Sequence, residues 1–184
     1  MKVVLASGSP RRRELLATLV PEFEVLVIEV DEEALTLPDP FETAERLAEA
    51  KAKAVAPLRP EAIVIGGDTV VALNGEQFAK PKDVEDARRM LRALSGQTHV
   101  VATGISLVTP KAVQTFHDKT YVTFRELTDE EIADYVATGE PMDKAGGYAI
   151  QGGAAGFVVG REGSESNVIG LPLEALAVAL AAMT

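Results

Sequence analysis

The sequence predicts an α/β fold built around a mixed β-sheet, and three observations lead there. Short apolar runs alternate with amphipathic stretches along the chain, the rhythm of strands and helices packed in layers. Some strand candidates are joined by tight hairpin signals and others by helix-length crossovers, so parallel and antiparallel pairs must share one sheet. No internal repeat or low-complexity linker interrupts the 184 residues, so a single domain over 1–184, with two lobes sharing the sheet, is expected.

Lys2–Ala6 is a short apolar run and reads as the first strand. Its charged start resembles a leader segment, but the run is too short for one and three arginines follow closely. Ser7-Gly8-Ser9-Pro10 is a turn, and Arg11 to about Val20 reads as a helix. Ser9 is its expected N-cap, with Pro10 at the first helical position, where a missing N–H costs nothing. Phe23–Val30 alternates loosely as a strand, and the acidic, proline-containing segment Asp31–Pro40 reads as a loop. A second helix runs from about Glu42 to Ala56 and is stopped by Pro57.

Ala62–Ile65 and Val70–Leu73 read as two strands separated by Gly66-Gly67-Asp68-Thr69, and Asn74-Gly75 marks a hairpin after the second. Asp83 caps a helix from about Val84 to Leu94, whose Val84, Ala87, Met90, Leu91 and Leu94 share one stripe before Ser95-Gly96 closes it. His99–Val108 and Thr115–Phe124 are the next strand candidates. Thr128 and Glu131 form a capping box for a helix ending at Gly139. The glycine-rich stretch Gly146–Gly163 has apolar residues interleaved and reads as ordered loops around a short strand near Phe157–Val159; Pro172–Met183 is a closing helix.

Composition limits the chemistry. Hydrophobic residues make up 47% and charged residues 25%, with no apolar run of the ~18 residues a membrane span needs, so a soluble protein with no membrane partner is expected. Zero cysteines exclude disulfides, thiolate metal sites and thiol nucleophiles, and suit a reducing cytoplasm, the expected location. His99 and His117 are too few for a histidine-rich zinc site, and both fall in alternating strand patterns as structural residues. A net charge of −10 argues against coating polymeric nucleic acid, so any anion site must be a local reversal of charge. The scarcity of Asn and Gln leans toward a heat-adapted source.

Three places break the sequence's own rules. Arg11-Arg12-Arg13 sits at a helix N-terminus, where the dipole favours acids. It is either a solvated basic face or one side of a phosphate site completed by the Ser7 and Ser9 hydroxyls and the turn's N–H groups. Lys51 lies in the middle of the apolar stripe formed by Ala44, Leu47, Ala48, Ala54 and Val55, so it either snorkels to the rim or meets a charge partner in a cleft. Asp68, beside two glycines between apolar runs, is either a turn aspartate bonded to its own backbone or a carboxylate for a metal or a bound water. Lys80, before Pro81, and Glu32, a second candidate carboxylate for a divalent ion, are weaker signals.

Taken in order, Ala6-Ser7-Gly8-Ser9-Pro10-Arg11-Arg12, Gly67-Asp68-Thr69, Lys80-Pro81-Lys82-Asp83, Leu94-Ser95-Gly96-Gln97-Thr98-His99, Asp143-Lys144-Ala145-Gly146-Gly147-Tyr148-Ala149-Ile150-Gln151-Gly152 and Gly170-Leu171-Pro172-Leu173 resemble the motifs of the Maf family over essentially the whole chain. The resemblance implies an elongated α/β fold with a central cleft, related to the inosine triphosphate pyrophosphatases, and hydrolysis between the α- and β-phosphates of a nucleotide. It further implies that Ser7, Arg11 and Arg12 line a phosphate site, that Glu32, Lys51 and Lys80 reach into the cleft, and that Asp68 accepts a proton.

Arg11, Thr69 and Gln151 together resemble the branch acting on dTTP and UTP; a sister branch acting on 7-methyl-GTP carries a glutamate where Gln151 stands. A Gln amide both accepts and donates, so it can pair with N3–H and O4 of uracil or thymine, and turned over it can meet cytosine. Mg²⁺ or Mn²⁺ held by Asp68 and Glu32 is the expected cofactor, and a homodimer the expected assembly. Family members are also associated with arrest of septum formation, so a nucleotide-binding regulator of cell division is the alternative, and a phosphatase or nucleotidyl transferase a weaker one.

Overall fold

One strand organises the molecule, and it is longer than its sequence suggests. In the computed structural model, which describes all residues from Met1 to Thr184, Ala62–Leu73 is a single strand of 12 residues, here β3. The two expected strands are therefore one, and Gly66-Gly67-Asp68-Thr69 is its middle rather than a turn. The glycines mark a close approach. A Cβ at Gly66 would lie 2.1 Å from the Ala48 carbonyl oxygen, and one at Gly104, on the neighbouring strand, 2.3 Å from the Ala44 backbone. Helix α3 (Pro40–Val55) lies directly on the sheet there.

The remaining elements follow from local chemistry. β1 (Lys2–Leu5) leads into α1 (Pro10–Leu19), whose N-cap Ser9 accepts a hydrogen bond from the Arg12 N–H, as its sequence predicts. The expected strand Phe23–Val30 is reduced to β2 (Glu24–Val25), because β1 ends at Leu5 and offers nothing further to pair with. The acidic loop contains a short helix, α2 (Glu32–Leu35), capped by Asp31, its two first-turn acids facing a favourable dipole end. α3 begins two residues before expectation, where Asp39 caps it and Pro40 takes the first turn.

Asn74 and Gly75, both at positive φ, turn the chain into β4 (Glu76–Phe78), the hairpin their pairing predicts. α4 (Val84–Leu94), β5 (Thr98–Val108), β6 (Val113–Phe124) and α5 (Asp129–Ala137) fall where expected, the last with both halves of its capping box present. The short strand of the glycine-rich stretch is displaced: Phe157 closes a 3-10 turn and β7 runs Val158–Glu162. A helix without a strong sequence signal, α6 (Glu165–Ile169), precedes α7 (Leu173–Met183). No helix is long and apolar enough to cross a membrane.

The seven strands form one mixed sheet in the order β2-β1-β3-β5-β6-β7, with β4 also paired to β3. β1 runs parallel to β2 and β3, and the other pairs are antiparallel. β1 takes Ala62–Ile65 of β3 and β4 takes Val71–Leu73, so the registers leave Gly66–Val70 without a strand neighbour on that edge. A cleft opens at this gap. Alternation along β3 sends Val64, Gly66, Asp68 and Val70 toward α3, and Ile63, Ile65, Gly67, Thr69 and Val71 to the opposite face. On that opposite face Ile63 and Ile65 pack with Leu16 and Leu176, while Val71 packs with Met90, Phe124 and Tyr148 in a separate core. Side chains from both faces therefore reach the cleft.

Candidate active site

The cleft holds a cavity of about 790 Å³, and every site residue singled out in the sequence lines it: Ser7, Ser9, Arg11, Arg12, Glu32, Lys51, Asp68, Thr69, Lys80 and Gln151. His99 and His117 do not; His99 is buried against Tyr148 and His117 pairs with Glu45.

The turn between β1 and α1 forms the basic end. Ser7 Oγ accepts from the Ser9 N–H at 3.3 Å and from Arg12 Nη1 at 3.2 Å, and Ser9 Oγ caps α1. Both hydroxyls accept toward the protein, which leaves their hydrogens to donate to an anion. The two arginines differ. Arg12 crosses over Gly67, where a Cβ would meet its Nε at 3.1 Å, and all three of its guanidinium nitrogens are occupied. Nε donates to the Gly170 carbonyl at 2.7 Å, Nη1 to Ser7, and Nη2 to Thr69 Oγ1 at 2.9 Å. Thr69 is bonded onward to Thr103, whose hydroxyl donates to the Asn167 carbonyl at 2.9 Å. The Arg11 side chain, by contrast, makes no hydrogen bond or ion pair within the chain, so its charge is free to meet a ligand in the cavity.

The opposite wall is set by α3 on β3. Lys51 does not snorkel: its Nζ lies 3.0 Å from Asp68 Oδ1 and 2.8 Å from Glu32 Oε1, with the lysine and aspartate side chains only 20% and 14% exposed. Asp68 is not a turn aspartate either, since its backbone is paired in the β3–β5 ladder. The two carboxylates sharing one ammonium are driven apart. Burial pushes the Asp68 carboxyl above its usual range, outweighing Lys51 and Arg12, whereas the Lys51 hydrogen bond holds Glu32, on the more exposed α2, below it. Environments that separate two neighbouring carboxylates in this way are those that assign them different work.

Lys80 follows β4 on the far rim, exposed and without an ion pair, and Gln151 sits on an exposed turn beyond it. Sequence reasoning gave no role to Lys144, which also lines the cavity; its Nζ is held 2.8 Å from Asp143 Oδ1 and 3.0 Å from the Glu140 carbonyl. Gly170 and Asn167, which anchor Arg12 and Thr103, were equally hidden, because a carbonyl acceptor leaves no mark on side-chain chemistry.

The chain that carries this arrangement, a basic turn facing a lysine–dicarboxylate cluster across a cleft in a mixed sheet, has close relatives in sequence. The dTTP/UTP pyrophosphatase of Pelotomaculum thermopropionicum is 51% identical over 178 residues, spanning 96% of this chain and 93% of that protein. That of a Geobacillus species is 49% identical over 172 residues, 94% of this chain and 92% of that protein. Among solved structures, the Staphylococcus aureus Ham1 protein superposes with a TM-score of 0.56 over 100% of both chains at 19% identity, a likeness of fold. A family model described as Maf-like protein matches residues 2–183, and with these relatives at about half identity over nearly the whole chain, the chain belongs to the Maf family.

Proposed function

We propose that the protein is a nucleoside triphosphate pyrophosphatase that hydrolyses dTTP and UTP, and CTP to a lesser degree, to the monophosphate and pyrophosphate. The observation that carries this reading is the Lys51–Asp68–Glu32 cluster lying in the same cavity as the Ser7–Arg12 turn and Gln151. A triphosphate needs a cationic cradle and a base needs a mixed donor and acceptor; one cavity supplies both ends. The names of the relatives, at about half identity over nearly the whole chain, support the same reaction.

In this reading Ser7, Ser9 and Arg11 bind phosphate oxygens, Arg12 stiffens the turn that presents them, and Thr69 with Gln151 contributes to recognition. Asp68, with its raised pKa, is a competent general base. It takes a proton from a water whose oxygen bonds to the α-phosphorus, the bond from that phosphorus to the bridging oxygen breaks, and pyrophosphate leaves with the electron pair. Lys51, Lys80 and Arg11 offset the charge that builds on the phosphates. Lys51 Nζ takes one oxygen of Glu32 and one of Asp68, so a divalent cation would be held by the second oxygen of each carboxylate. No third His, Asp or Glu joins them, so substrate oxygens would complete the shell of Mg²⁺ or Mn²⁺. When bound, such an ion neutralises phosphate charge as a Lewis acid. The reading extends to one domain of two lobes around the cleft, a cytoplasmic location and a homodimer.

The test is chromatographic product analysis after incubation with a panel of nucleoside triphosphates and Mg²⁺ or Mn²⁺. Monophosphate and pyrophosphate from dTTP and UTP, with little from 7-methyl-GTP, is the expected result. Orthophosphate as first product, or no turnover of any pyrimidine nucleotide alongside tight binding, would overturn it, the latter in favour of a regulator.

A further inference from the structure

Gln151 sits on an exposed turn, yet the backbone on both sides of it is fixed. Ala149, two residues before, donates its N–H to the Tyr135 hydroxyl at 3.1 Å. Gly153, two residues after, donates its N–H to Glu140 Oε2 at 3.0 Å. Within the turn the Gly152 N–H donates to the Ala149 carbonyl at 3.1 Å, and beyond it Ala154 is fully buried in the core. Neither anchor belongs to the Gln151 motif: Tyr135 is on α5, and Glu140 follows it in a 3-10 turn.

The anchors are themselves held. Tyr135 is 5% exposed and packs edge-on to Phe157 at 5.4 Å between centroids. Burial, and then the Glu140 carboxylate, keep its phenol above the usual pKa, so it stays neutral. Glu140 is fixed by its own backbone: its N–H donates to Thr138 Oγ1 and its carbonyl accepts from Lys144, which lines the cavity. The fit is close. A Cβ at Gly152 would lie 1.7 Å from Glu140 Oε1, and one at Gly153 would lie 3.1 Å from the Tyr135 ring. Two glycines let the turn pass against the clamp.

We infer that Tyr135 and Glu140 are positioning residues for base selection: they clamp the 149–153 turn from both sides and so fix where the Gln151 amide stands in the cavity. This rests on the reading of Gln151 as the group that meets the base. An amide on a loose turn would adapt to uracil, cytosine or a larger purine, whereas one on a fixed turn accepts only a base of matching width and pattern.

The experiment compares Tyr135→Phe, Glu140→Ala, Gln151→Ala and the double variant Tyr135→Phe/Gln151→Ala. The readouts are kcat/KM for UTP, CTP and 7-methyl-GTP, with Tm measured alongside. Tyr135→Phe and Glu140→Ala are expected to lower the UTP preference over both other nucleotides by about five- to tenfold, mainly through KM. In the double variant, Tyr135→Phe should cost nothing beyond Gln151→Ala, because the clamp acts only through that amide. A lowered Tm with unchanged preference, or additive losses in the double variant, would overturn the clamp while leaving Gln151 as base reader. Unchanged preference in Gln151→Ala itself would overturn the base-reading role, and the clamp with it.

Discussion

Lys51 reaches Asp68 from a different element: Nζ leaves the C-terminal half of α3 and stops 3.0 Å from an oxygen in the middle of β3. The pair exists because two glycines let the helix sink onto the sheet. It is nonetheless an unfavourable place to ionise a carboxylate, since desolvation outweighs the attraction of Lys51 and Arg12. Stability and chemistry pull against each other at this residue.

Asp68→Asn separates the two. An acid whose pKa is raised by folding contributes stability that is present below its unfolded pKa and is lost as pH rises through the folded one. At pH 8, well above the range where an unfolded aspartate titrates, the buried acid therefore costs stability, and the amide does not. Turnover should fall by about three orders of magnitude. Tm at pH 8, without added metal, should be equal or higher by a few degrees, roughly 1 kcal/mol of stability. That advantage should shrink as pH is lowered toward the range where Asp68 protonates. Thermal melts across pH 5–8 check this, and a variant clearly less stable at pH 8 would contradict the account.

Arg11 and Arg12, adjacent in sequence, should fail differently. Arg11 has no partner within the chain, so Arg11→Ala should raise KM for UTP about tenfold and leave Tm unchanged. Arg12→Ala strips partners from Ser7, Thr69 and the Gly170 carbonyl. It should cost about 2 kcal/mol, a fall in Tm of several degrees, as well as activity. Equal Tm for the two variants would show that Arg12 is not the structural member of the pair.

What could be read from the sequence was what side chains announce. Lys51 stood out because a charge on an apolar stripe is anomalous, Asp68 because an acid interrupted two apolar runs, and the arginines because they crowd the positive end of a helix. Lys51, Asp68, Arg11 and Arg12 line one cavity, and Arg13 does not. What stayed hidden depends on the backbone. The middle of β3 read as a turn because Gly-Gly has the same composition whether it bends a chain or admits a helix. β2 shrank because strand length is set by the neighbour, here a β1 that ends at Leu5, and not by alternation in Phe23–Val30. Tyr135 and Glu140 gave no signal because they act on backbone N–H groups of a turn that is remote from them in the motif order.

Gly66→Ala tests the close approach that builds the site. The added methyl would sit 2.1 Å from the Ala48 carbonyl oxygen, which belongs to helix backbone and cannot rotate away. Either β3 or α3 must shift by the better part of an ångström, at a cost of about 2–3 kcal/mol. Lys51 rides on α3 and Asp68 on β3, so the same shift lengthens their 3.0 Å contact. The expected outcome is a lower midpoint in urea together with a fall in kcat of about 100-fold. Gly156→Ala, where an added Cβ meets nothing within 4 Å, is the control and should change neither. If Gly66→Ala lost stability but kept kcat, the spacing of α3 on β3 would matter to the fold alone, and the Lys51–Asp68 distance would not be what the chemistry depends on.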